Sequence, residues 1–153
     1  MGANPYWYFV PYEADVDAAL QKLRLREFQA GGYNPVTPFL SFPIDPSAPA
    51  TGAAHDSIEQ VIEQCDESGT RSILDIAQVA PTPYDGNGMP YFTAFPLDAS
   101  NVQELFGTSK PTREQVESNQ RMWDRIERGS AVYTIIFDRG EPHEIFFGGY
   151  SFD

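Results

Sequence analysis

The chain predicts an α+β fold: a mostly antiparallel sheet of about five strands, with the helices largely on one face. Three observations carry that expectation. Aromatic runs with a proline at each end stand at Pro5–Pro11 and Pro90–Pro96, capped helical periodicity follows each of them, and the residues from Ala131 onward read strand, turn, strand. With 153 residues, 41% of them hydrophobic, the chain is the length of one domain and can bury a real core.

Tyr6 to Tyr12 is predicted as the first strand from its aromatic and valine content. Tyr6, Tyr8, Val10 and Tyr12 fall on one side and Trp7 and Phe9 on the other, the pattern of a strand covered on both faces. Glu13, Asp15 and Asp17 then gather at a helix start, where carboxylates favour the positive end of the dipole. Val16, Ala19, Leu20, Leu23 and Phe28 give that helix its apolar stripe, and Gly31-Gly32 end it.

Residues 33–54 break the periodicity. Five prolines between Asn34 and Ala50 exclude both helix and interior strand. Tyr33, Val36, Phe39, Leu40, Phe42 and Ile44 are too apolar for a solvated linker, so an ordered loop pinned by its aromatics is expected. Helical order resumes from Ser57 to Ser68, with Ser57 and Gln60, or Asp56 and Glu59, as the cap. Arg71 to Ala80 reads as a strand, "PTPYDGNGMP" as turns, and Tyr91 to Leu97 as the second proline-ended strand.

Ser100 to Phe106 is predicted as a short helix closed by Gly107. Arg113 to Arg128 is predicted as one longer helix with Val116, Trp123 and Ile126 inward. Its outer face would carry the pairs Glu117–Arg121 and Asp124–Arg128. The closing hairpin follows. Gly148-Gly149 should break its second strand, marking a bulge or a close approach of another group to the backbone.

The two proline-ended stretches align at an offset of 85 residues, with Pro5/Pro90, Tyr6/Tyr91, Pro11/Pro96 and Ala14/Ala99 identical. That raises an internal βααβ pseudo-repeat with halves 5–79 and 90–153, against the plainer reading that such strands coincide once.

The formal net charge is −12, a sign that repels phosphate backbones, so no nucleic-acid partner is expected. The charge is uneven: residues 55–109 hold nine acids against Arg71 alone, for −8. No apolar run approaches the roughly 20 residues of a membrane span, and no secretory leader is evident. Cys65 is the only cysteine, which favours a reducing, cytoplasmic setting, and its helical neighbours Ile58, Val61 and Ile62 favour a packed thiol. The chain has the general look of a small bacterial cytoplasmic protein, with no motif tying it to a family.

No nucleotide loop, zinc motif or serine elbow is present, and "DGNG" at Asp85–Gly88 fails the calcium-loop pattern, so no cofactor, metal or catalytic residue is assigned. Asp75, set among apolar neighbours, would gain a raised pKa if buried, although a structural pairing is the commoner role. The leading expectation is a non-catalytic, acidic binding or regulatory module for a basic protein partner. Glu59, Glu63, Asp66 and Glu67 would form its face, opposite Ile58, Val61, Ile62 and Cys65. The alternative is a small-molecule-binding protein or enzyme with an aromatic-lined pocket drawn from Tyr33, Asn34, Tyr84, Gly148 and Gly149.

Overall fold

In the computed structural model, residues 3–152 are described except Pro46, Pro49 and 66–68. The five strands are β1 (Pro5–Pro11), β2 (Gln78–Val79), β3 (Thr93–Pro96), β4 (Ala131–Asp138) and β5 (Glu141–Tyr150). They form a single sheet in the order β1-β5-β4-β3-β2. β4 and β5 are the expected hairpin: Asp138 pairs with Glu141 across Arg139-Gly140, whose φ values of 53° and 80° suit the primed turns that follow strand twist. β1 pairs antiparallel with β5, from Pro5 opposite Tyr150 to Pro11 opposite Glu144. Its prolines cost nothing there, because an edge strand leaves one row of donors unpaired.

The sheet is mixed rather than mostly antiparallel. β3 runs parallel to both β4 and β2. The chain between β3 and β4 is a helical crossover, and a crossover returns the chain to the end from which it started. Hairpin chemistry dominates the sequence signal, and a crossover leaves no comparable local mark.

The helices cover both faces, not chiefly one. On the first face lie α1 (Val16–Ala30) and α2 (Ile58–Cys65), with a 3-10 turn at Ile73–Asp75. Ala19, Leu20 and Leu23 of α1 pack with Ile73 on Tyr6, Tyr8, Val10 and Phe147. On the second face lie α3 (Ala99–Phe106), α4 (Arg113–Glu117) and a 3-10 helix at Arg121–Arg125. Leu105, Val116 and Met122 pack there on Phe146 and Ile136, with Trp7 and Phe9 alongside. The two-sided apolar pattern of β1 demands this second layer, since each exposed large side chain would forfeit about 2 kcal/mol of burial.

The pseudo-repeat finds no support. β1 is an antiparallel edge strand, whereas β3 lies inside the sheet with parallel neighbours, and the helices after them go to opposite faces. Phe92, aligned with Trp7, precedes β3 at a φ of 62° and is half exposed.

Two local expectations also change. Ile73–Asp75 is a 3-10 turn rather than strand, because the Ser72 hydroxyl accepts the Leu74 N–H and Asp75 Oδ1 accepts the Thr70 N–H at 2.8 Å. Short polar side chains that bond nearby backbone compete with a ladder. The helix expected over 113–128 stops at Glu117 and restarts as the 3-10 helix at Arg121. Asn119 causes the break: its amide donates to Leu105 O at 2.8 Å and its carbonyl oxygen accepts the Met122 N–H at 2.9 Å. Glu117 consequently pairs back to Arg113, and Arg121 reaches Glu104.

The proline-rich loop of residues 33–54 turns part of its aromatic content inward among its described residues. Tyr33 is fully buried and Phe42 packs on Trp7 and Tyr8, although Phe39 stands 90% exposed. β5 runs unbroken through Gly148-Gly149, and it is the close approach that those glycines serve.

Candidate functional site

The break at residues 118–120 has a consequence for shape. One long helix would lie across the second face, but two short pieces leave a cleft of about 460 Å³ between them and the β1 edge. Trp7 of β1 and Trp123 of the 3-10 helix form two of its walls, with centroids 5.7 Å apart and planes at 67°. Tyr150, at the end of β5, meets Trp123 at 5.4 Å and 69°. Phe146, Met122 and Val116 supply the apolar depth, and Pro43 of the proline-rich loop closes one side.

Gly148 lies between Phe146 and Tyr150 on that strand face. A Cβ at Gly148 would stand 2.6 Å from the Phe146 ring and 3.4 Å from Trp123, so the bare backbone is what lets both rings settle. Gly149 points to the other face, where a Cβ would stand 2.7 Å from both Tyr6 Oη and the Ser130 carbonyl.

Polar side chains at the cleft are few: neutral Gln120, the Tyr150 phenol and the Glu117 carboxylate. Glu117 lines it and accepts from Arg113 Nε at 2.8 Å. Arg113 also reaches Glu144 at 3.0 Å while its guanidinium lies 4.1 Å from the Phe9 ring centre. The hydrogen bond it donates to Glu117 holds that guanidinium above its usual pKa. Burial raises the Tyr150 phenol, and the Asp124 carboxylate raises it further.

The residues singled out from sequence occupy other settings as well. Tyr33 is buried against Phe28, its hydroxyl 2.9 Å from His55 Nδ1, and the Asn34 carbonyl accepts from Cys65 Sγ at 3.1 Å. Both lie in the α1–α2 cluster, across the sheet from the cleft. Tyr84 rests on Phe95 at 5.2 Å and donates to Gly88 O. Of the aromatic-pocket set, Gly148 is thus the one that sits among the cleft rings.

Glu59 and Glu63 are both exposed on α2, while Asp66 and Glu67 lie outside the described residues. Val61 and Cys65 are buried as expected, but Ile62 is 42% exposed and so does not belong to the buried face. Burial lowers the Arg24 pKa, and the Glu59 carboxylate works against that shift.

Asp75 is 8% exposed, and burial raises its pKa against the hydrogen bonds from Thr70. Its Oδ2, like Tyr6 Oη and Arg24 Nε, is buried without a hydrogen-bond partner. Among the described residues no cluster of three or more His, Cys, Asp and Glu could hold a metal ion. No helix of those residues is long and apolar enough to cross a membrane.

The cleft residues Trp7 and Trp123 read in the sequence as core positions. The missed signal is the Ser118-Asn119 pair in the middle of a helical pattern, where side chains that bond backbone interrupt a helix. No protein-family model, curated protein or solved structure matches the chain.

Proposed function

We propose that the protein is a non-catalytic binding module whose seat is the aromatic cleft, and that its ligand is a small molecule. One observation carries this reading: a recess of about 460 Å³ whose walls are rings held from three separate elements. Sites for small molecules generally span about 300–1,000 Å³, lined by aromatic and apolar groups with few polar ones. The test is a thermal-shift screen of metabolites against the native chain and Trp123→Leu. A ligand at a hundredfold its dissociation constant adds about 2.7 kcal/mol of stability. A compound that raises the melting point of the native chain alone supports the reading. No active compound, or hits that stabilise both proteins equally, would count against it.

A second reading is a basic protein partner on α2. It is favoured by the exposed Ile62 beside Glu59 and Glu63, an apolar centre with an acidic rim. Association should then weaken with salt and with the double variant Glu59→Gln, Glu63→Gln.

A further inference from the structure

The cleft has a shape and a charge that select among ligands, and the following step rests on the reading of the cleft as a binding seat. The planes of Trp7 and Trp123 cross at 67°, and those of Trp123 and Tyr150 at 69°. A flat aromatic ligand can stack on only one wall of such a corner, whereas a rounded group can touch the faces of several. Rounded neutral groups and rounded cations both satisfy the shape.

Charge separates the two. Among the described residues lining the cleft none is basic, and Glu117 is its one carboxylate. Asp124 stands close enough for its charge to act on the Tyr150 phenol. The nearby Arg113 is drawn off by Glu117 and Glu144. The whole chain carries −12, which attracts cations and repels anions before contact. The same face of the sheet already seats a cation on a ring, since the Arg113 guanidinium lies 4.1 Å over Phe9. A quaternary ammonium group is round, weakly hydrated and cationic, and ring faces attract it through their quadrupoles.

We infer that the cleft takes a small organic cation, an alkylated ammonium head seated against the faces of Trp7, Trp123 and Tyr150. The volume left beyond such a head accommodates a short neutral tail.

The test compares choline with its neutral isostere 3,3-dimethyl-1-butanol, read by tryptophan fluorescence and melting temperature. Choline should bind about tenfold more tightly. Trp123→Leu should abolish choline binding. Gln120, which lines the cleft, gives a second variant, Gln120→Lys, that does not disturb the core, because the residue is exposed and its side chain makes no capping hydrogen bond. It should weaken choline several-fold and leave the isostere unchanged.

Equal affinity for choline and the isostere would overturn the cationic inference while sustaining the cleft as a binding seat. So would a neutral compound from the screen that binds through Trp123 where choline does not. Failure of choline, the isostere and every screened compound would overturn both readings.

Discussion

Gly148 and Gly149 are neighbours in one strand, yet they open onto two different kinds of surface. On the Gly149 side, the Tyr6 phenol and the Ser130 carbonyl both stand 2.7 Å from where a Cβ would be, and the layer is shut. On the Gly148 side the space is taken by ring edges of Phe146 and Trp123, beside a cleft. The covering helices explain the contrast. α1 is an uninterrupted 15-residue helix, whereas the second face is covered by pieces of 8, 5 and 5 residues. A continuous helix presents a continuous stripe of ridges to a sheet. A broken cover leaves gaps, and what lines a gap becomes available to a ligand.

The strongest way to break this comparison is to add a methyl at each glycine. Gly149→Ala should cost about 3 kcal/mol in urea denaturation, because a backbone carbonyl cannot yield. Gly148→Ala should cost about 1 kcal/mol, because the Phe146 ring can tilt, and it should narrow the cleft at the same time. Equal costs would remove the claimed difference between a shut face and a yielding one.

Asn119→Ala falls between those two in size. It removes the bonds to Leu105 O and Met122 N that set the restart of the chain, for a loss of about 2 kcal/mol. Trp123 should lose its fixed place with it, seen as a loss of near-ultraviolet circular dichroism. A native-like signal in the variant would show that the break at 118–120 does not build the cleft.

A smaller effect concerns charge on the shut face. Burial raises the Asp75 pKa in the folded state, so the folded chain holds that proton more tightly than the unfolded chain does. The stability this confers is present at low pH. It is lost as pH rises from the ordinary carboxylate range through the raised folded value. Thr70 and Arg24 oppose the shift, and the buried Tyr6 hydroxyl shares the region. Asp75→Asn should flatten that stretch of the stability profile in urea titrations across pH. Parallel profiles for the two proteins would dismiss the linkage.

The smallest effect leaves stability untouched. Cys65 is buried, its thiol donates to Asn34 O, and burial raises its pKa. Iodoacetamide should therefore react slowly until the chain is unfolded, while acrylamide quenches the half-buried Trp7 and Trp123 in the native state. Rapid alkylation at native pH would mean that the first face opens as readily as the second.

Much of the local structure was legible without coordinates. The acids gathered at the start of α1, the Gly31 stop, the Gly107 end of α3 and the Arg139-Gly140 turn all follow from residues within a few positions of one another. The proline-ended aromatic strand was legible for the same reason, as was the concentration of acids between residues 55 and 109. The site was legible only in fragments. Gly148 was singled out, but Trp7 and Trp123 read as core, and 116 positions separate them in the chain.

What the amino-acid sequence determined by itself is therefore where α1 starts and stops, where α3 ends and where the closing turn falls, since caps, prolines and glycines act on the backbone bonds beside them. Tertiary structure alone decided that β3 runs parallel to its neighbours, that helices cover both faces, and that Asn119 finds Leu105 O and splits a helix. Those outcomes depend on burial summed over residues distant in sequence, and on partners that exist only once the layers have met. The cleft belongs to that second group, because its walls come from β1, β5 and the restarted helix, brought together by packing.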